Sequence, residues 1–337
     1  MSEQTSFKTL RDTPISEYLT PGSPLCGGCG GEIIVKLALK ALGSKTILVS
    51  VPGCLALFEL YPYTSLKTPM LFAPFPAGPA AAQGIVDGIE ALVSKGRVSN
   101  PGAKVLLLTG DGAAYDIGLQ ATSAAIHRGL DFYYLCYDNE AYGNTGFQFS
   151  GSTPLAASTS TTPAGSGLRK KDLFEIWRAH NPPYVATVAA SRPVDLLRKF
   201  EKAQRFRGPK LFIALGVCPT GWGSDPALTV RLDKLAVETG IFPLKEAVYG
   251  RVRHTYIPRS RKPVEEYLRH QRRFEHLFKP VRRDDLIRQI QEDVDRYWEN
   301  VREWVGYAWH RNNKGSHLRA GGGGCSRLHQ EKLPSRL

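Results

Sequence analysis

Two short polar segments, each placed after an apolar run, carry the most informative side chains of this sequence. Gly110-Asp111-Gly112 follows one apolar run, and Asn139 lies in the polar cluster 138–146 that ends the next one. Parallel strands end at one edge of a sheet, so a carboxylate and a carboxamide after neighbouring strands come close together. Hard oxygen ligands of this kind suit a magnesium ion that holds a diphosphate. The pair therefore predicts a diphosphate cofactor.

The common nucleotide-binding fingerprints do not fit Gly110 and Gly112. A dinucleotide motif needs a third glycine where this sequence has Tyr115, and no Gly-Lys-Ser or Gly-Lys-Thr of a Walker loop follows a strand. The competing interpretation is a pair of glycine-rich turns without a ligand. Asn139 after the very next strand favours a phosphate site, at which the helix after Gly112 would direct its N-terminus toward the anion.

Four of the six cysteines indicate a second site. Cys26 and Cys29 form a CxxC in a glycine-rich loop, whereas Cys54 and Cys218 each follow a predicted strand. In a parallel sheet these thiols would meet at one edge, and four thiolates suit either tetrahedral zinc or a [4Fe–4S] cluster. The spacing does not separate the two metals, and a CxxC alone is equally typical of a redox motif.

The other two cysteines are interpreted as non-ligands. Cys136 lies within the apolar run 132–137 and is expected to be a buried core thiol. Cys325 lies in a glycine-rich tail and is expected to be a free thiol. Since the N-terminal residues lack the apolar core of a secretory signal, we expect a cytoplasmic protein, and disulfides are not the first interpretation.

Strand and helix patterns alternate through residues 45–216, which predicts a doubly wound, mainly parallel α/β sheet with ligands outside the carboxyl ends of its strands. The long segments 62–79 and 150–168 are predicted loops. Strand patterns cover 46–51, 104–109, 131–137, 184–189 and 210–215, and helical patterns cover 32–42, 80–94, 117–128, 172–180 and 194–204.

Composition and charge divide the chain into four parts. Residues 1–25 predict an irregular N-terminal segment, 26–245 the domain that contains both sites, 246–306 a charged helical extension, and 307–337 a basic, glycine-rich disordered tail. Most of the net charge of +13 falls after residue 250. The tail is interpreted either as a solvated extension or as a docking segment for an acidic partner such as a small electron carrier.

No pattern predicts binding to nucleic acid or to a membrane. The sequence lacks a helix-turn-helix pattern, zinc-finger spacing and an aromatic-rich basic strand. It also lacks the roughly 18 consecutive apolar residues of a membrane span. A composition of 42% hydrophobic and 22% charged residues is that of an ordinary globular protein.

With both sites in view, the chain resembles the thiamine-diphosphate-binding β subunit of 2-oxoacid:ferredoxin oxidoreductases, most closely the pyruvate synthase type built from four separate subunits. The resemblance extends from Cys26 to Trp304. Its motifs are CGGCG at 26–30, PGC at 52–54, GDGAAYDIGLQ at 110–120, YDNEAYGNTGFQFSGSTP at 137–154, CPTGW at 218–222, KLAVETGIFPL at 234–244 and KPVEEYL at 262–268.

The resemblance implies a role for each candidate site residue. It implies that a [4Fe–4S] cluster is bound by Cys26, Cys29, Cys54 and Cys218. It implies that the diphosphate lies on Gly110, Asp111 and Gly112, with magnesium held by the carboxylate of Asp111, the side chain of Asn139 and the carbonyl of Ala141. Asn144 and Thr145 match positions that contact the diphosphate or lie beside the thiazolium.

The implied reaction is oxidative decarboxylation of pyruvate or a related 2-oxoacid to acyl-CoA and CO2, with electrons passing through the cluster to ferredoxin. One departure leaves the substrate open. In pyruvate members an acid and an asparagine follow the phenylalanine that corresponds to Phe75, whereas this chain has Pro76-Ala77-Gly78 there. An aryl or branched 2-oxoacid, such as phenylglyoxylate or 2-oxoisovalerate, and NAD as acceptor are therefore alternatives.

Thiamine enzymes also need a glutamate against the aminopyrimidine, housed in a second α/β domain that the charged segment after about residue 245 is not expected to form. The resemblance thus predicts that a partner subunit supplies this glutamate, among α, γ and ferredoxin-like δ subunits of one complex, and that the isolated chain is inactive. An alternative of another class is a zinc-stabilised, non-catalytic binding subunit with a decayed thiamine site.

Overall fold

An eight-stranded sheet forms the centre of the structure, a computed structural model that describes residues 5–99 and 101–314, with side chains as far as residue 301. The strands are β1 Thr46–Ser50, β2 Met70–Phe72, β3 Lys104–Gly110, β4 Tyr133–Asp138, β5 Tyr184–Ala189, β6 Lys210–Leu215, β7 Lys245–Val248 and β8 Arg251–His254. Their order across the sheet is β2-β1-β3-β4-β6-β5-β7-β8. β1 to β6 run parallel, and β7 and β8 are antiparallel to their neighbours.

Helices lie between most of the strands along the chain, and further helices come after β8. They are α1 Gly30–Leu42, α2 Gly78–Ser94, α3 Leu119–His127, α4 Leu173–Ala179, α5 Pro193–Ala203, α6 Pro219–Trp222, α7 Thr229–Thr239, α8 Glu265–Leu268 and α9 Asp284–Lys314. Gly43 caps the C-terminus of α1, has a φ of 86° and donates its N–H to the carbonyl of Leu39 at 2.8 Å. α2 and α5 carry a proline in the first turn, where its missing N–H removes no helical hydrogen bond.

Both faces of the sheet are covered, because the side chains of each strand alternate between two apolar layers. In β3, Leu106 and Leu108 join the layer that contains residues of α1 and α5. Val105 and Leu107 join the layer that contains residues of α2, α3 and α4. The predicted doubly wound, mainly parallel α/β sheet is therefore confirmed.

The segment 62–79, predicted to be a loop, contains the edge strand β2. It pairs with β1 from Leu48–Met70 to Ser50–Phe72. A strand of three residues between Pro69 and Pro74 is too short to produce an alternating pattern in the sequence. Its pairing with β1, rather than its own composition, makes it a strand.

A charged helical extension was predicted from residue 246, but β7 and β8 form an antiparallel hairpin there. The prediction was wrong for these residues. β7 contains the buried charged residues Lys245 and Glu246, which hide the strand from a hydrophobic pattern. The carboxylate of Glu246 accepts a hydrogen bond from the Tyr184 hydroxyl at 2.7 Å and pairs with Lys202 at 3.0 Å. These partners compensate for the burial of its charge.

The helix predicted at 117–128 is preceded by a wider turn. Gly112–Ile117 is π-helical, and α3 begins only at Leu119. Single π-helical turns of this kind occur frequently at functional sites. The segment directly after Asp111 is therefore not an ordinary first turn of an α-helix.

The remaining predictions concern loops and the C-terminal part. Residues 150–168 contain no helix or strand beyond one isolated bridge, as predicted.

One compact unit ends at Gln291, and a second begins at Glu292. α9 continues to Lys314, past residue 306 where the tail was predicted to begin, and the rest of the predicted tail, with Cys325, lies outside the described residues. No described helix has the length and apolar composition needed to cross a membrane.

Candidate functional site

Four neighbouring strands end in the segments that carry predicted site residues. β1, β3, β4 and β6 are adjacent in the sheet and are followed by Cys54, Asp111, Asn139 and Cys218. Because the four strands are parallel, these segments lie at the same carboxyl edge. The fold therefore brings the predicted oxygen and sulfur groups to one edge of the sheet.

Three oxygen-bearing groups converge after β3 and β4. In one orientation of its amide, Oδ1 of Asn139 lies 2.8 Å from Oδ1 of Asp111 and 2.7 Å from the carbonyl oxygen of Ala141. In the other orientation the amide nitrogen takes that place and donates hydrogen bonds to both oxygens. The first orientation requires a cation, since three acceptors repel one another, and the second is stable without one. This oxygen cluster fits a small, hard cation.

Asp111 is buried and held by the start of the long loop 150–168. Asp111 is only 1% exposed, and its Oδ2 accepts a hydrogen bond from the Ser150 hydroxyl at 2.5 Å. Burial, and then the charge of Asp138, raises the pKa of Asp111 well above its ordinary value. A bound cation would favour the ionised form, because an opposite charge opposes both effects.

Two glycines allow the loops after β3 and β4 to pack closely. A Cβ at Gly112 would lie 2.3 Å from Cε1 of Tyr142, and a Cβ at Gly143 would lie 2.5 Å from the side-chain amide of Asn139. Real side chains do not approach so closely, so a larger residue would push the loops apart. The Tyr142 hydroxyl also donates to Oδ2 of Asp116 at 3.2 Å, which ties the two loops together.

The other predicted cofactor residues are in more open positions. A Cβ at Gly110 would have its nearest neighbour 4.0 Å away, so packing alone does not require glycine there. Asn144 and Thr145 are exposed in the turn that follows the oxygen cluster, and the Thr145 hydroxyl donates to Oε1 of Gln148 at 2.5 Å. These residues flank the oxygen cluster in the chain and are accessible to a ligand.

The CxxC loop is attached to the segment before Cys218. Cys26 is exposed, whereas Cys29 is buried directly before α1. The N–H of Gly30, the first residue of α1, donates to the carbonyl of Val217 at 3.0 Å. This bond holds the N-terminal end of α1 beside the segment that follows β6.

The other three sulfurs are close enough to Cys54 to affect its ionisation. Burial raises the pKa of Cys54 to about 12, and the nearby Cys218, Cys29 and Cys26 contribute to the increase. Among residues 5–99 and 101–301, no three His, Cys, Asp or Glu side chains already have the arrangement of a bound metal site. The thiols are therefore neighbours that a metal would have to draw together and deprotonate.

Cys218 and Cys136 have different surroundings, although both lie near the ends of central strands. Sγ of Cys218 accepts a hydrogen bond from the N–H of Gly221 at 3.3 Å. Burial raises the pKa of Cys218 to about 11, and the Gly221 N–H and the positive charge of Arg273 oppose that increase. Cys136 is fully buried in the apolar layer that contains residues of α2, α3 and α4, as its prediction as a core thiol requires.

A buried network of charged side chains borders the oxygen cluster, and no sequence pattern predicted it. The carboxylate of Asp138 pairs with Lys170 at 2.6 Å, and Glu140 pairs with Lys170 at 3.2 Å and with Arg273 at 2.6 Å. Burial lowers the pKa of Lys170, but the Asp138 and Glu140 carboxylates raise it by more. Asp138 and Glu140 flank Asn139, so this network holds the turn that carries the oxygen groups of Asn139 and Ala141.

The same turn has an unusual backbone conformation. Glu140 has a φ of 65°, a region that residues other than glycine seldom adopt, and such strain is often found at functional sites. Its carbonyl accepts a hydrogen bond from the Thr153 hydroxyl at 2.8 Å. The indole N–H of Trp222 donates to the carbonyl of Asn139 at 2.9 Å. The turn is therefore fixed both by the long loop and by α6.

The family model for the C-terminal TPP binding domain of thiamine pyrophosphate enzymes matches residues 53–214, so the sheet is that of a thiamine-diphosphate-binding α/β domain. The fold is similar to that of a 2-oxoglutarate:ferredoxin oxidoreductase from Magnetococcus marinus, with a TM-score of 0.51 and 21% identity, covering 64% of this chain and 79% of that chain.

Relatives with a higher identity specify the family. Pyruvate synthase subunit PorB of Methanocaldococcus jannaschii is 45% identical over 289 residues, which are 84% of this chain and 95% of the relative. PorB of Thermotoga maritima is 39% identical over 293 residues, covering 84% and 90% of the two chains. Ketoisovalerate oxidoreductase subunit VorB of Pyrococcus horikoshii is 37% identical over 311 residues, covering 89% and 94%. The chain belongs to this family of thiamine-diphosphate-dependent 2-oxoacid:ferredoxin oxidoreductase β subunits, and the resemblance inferred from its motifs is confirmed.

Proposed function

We propose that this chain binds thiamine diphosphate through a magnesium ion at the oxygen cluster. The carboxylate of Asp111, the side-chain oxygen of Asn139 and the carbonyl of Ala141 would hold the ion. The observation that carries the proposal is the convergence of these three groups, with oxygens 2.7 and 2.8 Å apart when the Asn139 amide points its oxygen at the other two. Three oxygens from a carboxylate, an amide and a carbonyl are typical magnesium ligands.

We also propose that Cys26, Cys29, Cys54 and Cys218 bind a [4Fe–4S] cluster. Their mutual proximity supports the assignment, since four thiolates complete the ligand set of such a cluster. A family that delivers electrons to ferredoxin also needs a one-electron carrier, because oxidation of a 2-oxoacid releases two electrons. The cluster would lie on the same sheet edge as the cofactor.

When bound, thiamine diphosphate supplies the electron sink that allows a 2-oxoacid to lose CO2. The residues of this chain position it. Gly112 keeps the loop after β3 against Tyr142, and Gly110 would leave space for the diphosphate. Asn144 and Thr145 would contact the diphosphate or the thiazolium ring from the exposed turn.

The chain would act within a complex of β, α, γ and ferredoxin-like δ subunits in the cytoplasm. The described residues form a single sheet of this type. We therefore assign the glutamate that activates the aminopyrimidine to a partner subunit. Coenzyme A would accept the acyl group, and ferredoxin would accept the electrons.

Pyruvate is the substrate proposed first, because PorB relatives are named for pyruvate synthase. A larger apolar 2-oxoacid is the second candidate, since a VorB relative is named for ketoisovalerate. Phe75 packs edge-on against Tyr142, with ring centroids 6.2 Å apart. The apolar segment 75–79 therefore lies against the loop that follows the oxygen cluster.

The test is a substrate panel on the complex, co-purified without oxygen. Coenzyme-A-dependent ferredoxin reduction would be measured with pyruvate, 2-oxoisovalerate and phenylglyoxylate. We expect activity with at least one of them, and none from the isolated chain or from a complex with Asp111→Asn. Activity of the isolated chain would refute the assignment of the glutamate to a partner, and full activity of Asp111→Asn would refute the magnesium site.

A further inference from the structure

Arg273 is a buried cation that no sequence motif singles out. Its side chain is 1% exposed, and it comes from the short 3-10 helix Arg272–Leu277, far along the chain from both proposed cofactor sites. Burying a guanidinium is costly unless it is paired and hydrogen-bonded. The contacts of the guanidinium therefore indicate the role of its charge.

The guanidinium is held in one orientation by four neighbours. Nη2 donates to the carboxylate of Glu140 at 2.6 Å, and Nε donates to Oε1 of Gln271 at 2.9 Å. The plane stacks on the ring of Trp222, with Cζ 3.9 Å from the ring centroid, and the Tyr267 hydroxyl lies 3.5 Å from Nη2. The buried Nη1 has no hydrogen-bond partner among the described residues.

Trp222 connects this cation to both proposed cofactor sites. It is the last residue of α6, whose N-terminal cap is Cys218, and its N–H donates to the carbonyl of Cys218 at 2.8 Å. Its indole N–H donates to the carbonyl of Asn139 at 2.9 Å. The guanidinium thus stacks on a residue whose backbone N–H binds the carbonyl of Cys218 and whose indole binds the carbonyl of Asn139.

We propose that Arg273 is a positioning residue that also tunes the cluster, its fixed positive charge beside Cys218 raising the cluster's reduction potential. The inference rests on the proposed function, because it requires the cluster at Cys26, Cys29, Cys54 and Cys218. Reduction adds one electron to the cluster, taken from the 2-oxoacid in the reaction and from dithionite in a titration. A nearby positive charge stabilises the more negative, reduced form.

The charge balance of the network sets the direction in which each substitution should shift the reduction potential of the cluster. Asp138 and Glu140 are negative, and Lys170 and Arg273 are positive, so the paired side chains have no net charge. Replacing Arg273 with glutamine leaves one net negative charge near the cluster. Replacing Glu140 with glutamine leaves one net positive charge. The two substitutions should therefore shift the potential in opposite directions.

The experiment is a reductive titration of the full chain, reconstituted with iron and sulfide without oxygen and followed by electron paramagnetic resonance. At a fixed solution potential, we expect Arg273→Gln to lower the ratio of reduced to oxidised cluster about tenfold, which corresponds to about 59 mV for one electron. Arg273→Lys should stay near wild type, because it keeps the charge. Glu140→Gln, which is nearly isosteric, should raise the ratio and provides a second test if Arg273→Gln does not fold.

Arg272→Gln is the matched control, since it removes the same charge from an exposed neighbouring position and should leave the potential unchanged. Equal shifts in Arg273→Lys and Arg273→Gln would indicate a purely structural role and overturn the inference. An unshifted potential in either Arg273→Gln or Glu140→Gln, with the cluster intact, would also overturn it. A wild-type chain that assembles no cluster would instead contradict the proposed function itself.

Discussion

The oxygen cluster and the group of four cysteines lie at the same sheet edge, but they differ in how far the polypeptide alone organises them. Asp111, Asn139 and Ala141 come from the ends of adjacent strands, and the Asn139 amide already lies within hydrogen-bonding distance of both Asp111 and Ala141. The four cysteines come from separate segments, and the described thiols do not yet have the arrangement of a bound metal site. The first site is organised by packing, whereas the second, as proposed, would be completed by its metal.

The buried charges explain this difference. Ion pairs and hydrogen bonds fix the turn 138–141 from several directions, through Lys170, Arg273 and Trp222. The CxxC loop has no ion pair among these contacts: the N–H of Gly30 donates to the carbonyl of Val217, the Thr229 hydroxyl donates to the carbonyl of Gly28, and Cys26 is exposed. A rigid turn can hold a small cation at short distances, and a freer loop can close around a larger cluster.

The largest expected effect concerns the cysteines. Cys54→Ala removes one of four cluster ligands, so we expect loss of the visible iron–sulfur absorbance and of ferredoxin reduction in the complex. Magnesium-dependent cofactor binding should remain, because the oxygen cluster is organised separately. Cys136→Ala, which removes a buried core thiol instead, should keep both the absorbance and the activity. An unchanged spectrum in Cys54→Ala would remove Cys54 from the ligand set.

Lys170→Met should destabilise the fold strongly, because it leaves the Asp138 and Glu140 carboxylates without their shared cation. Breaking a buried ion pair from one side typically costs about 3–5 kcal/mol. Denaturant unfolding would measure the loss. Lys171→Met removes an exposed neighbouring cation paired with Asp116 and should cost less than about 1 kcal/mol. Similar losses for the two variants would show that the network does not stabilise the turn.

Asp111→Asn should weaken binding of thiamine diphosphate in the presence of magnesium by about 100-fold, or roughly 2.8 kcal/mol, since it removes the only carboxylate of the oxygen cluster. Calorimetry on the complex would measure the affinity, and iron content should stay unchanged. Asp87→Asn, at an exposed position of α2, serves as the control for loss of one negative charge. Wild-type affinity in Asp111→Asn would place the magnesium ion elsewhere.

Gly112→Ala should have a smaller effect, on both stability and cofactor affinity. The added Cβ would lie 2.3 Å from the Tyr142 ring, and overpacking of this kind typically costs about 1–3 kcal/mol. Gly84→Ala, in α2 with no atom within 4 Å of the new Cβ, should be neutral or stabilising by about 0.5–1 kcal/mol. Thermal unfolding would compare the two. A Gly112→Ala protein as stable as Gly84→Ala would mean that the loops can separate without cost.

The sequence predicted most of what depends on neighbours along the chain. Strand and helix alternation gave the parallel sheet, and the rule that parallel strands end at one edge placed Asp111 and Asn139 together. It did not predict β7, because the buried charges of Lys245 and Glu246 resemble a surface segment until their partners are known. It also could not predict the Glu140–Arg273 pair, whose members are 133 residues apart and meet only in the folded chain.

The anchoring of Asp111 by Ser150 illustrates the same limit. The long loop 150–168 was predicted to lack regular structure, and it does, but its composition gives no indication that it contacts the oxygen cluster. Loops of this length in a compact domain are often functional, and here the contact is direct. Sequence patterns thus located the proposed cofactor ligands and missed the groups that hold them in place.

The most direct test of the account is the metal content of the full chain, purified without oxygen. If the four cysteines form the second site as proposed, the chain contains about four iron atoms and no stoichiometric zinc. Elemental analysis measures both metals in one sample. One zinc atom per chain, with no iron, would contradict the account and would favour a zinc-stabilised subunit without electron-transfer chemistry.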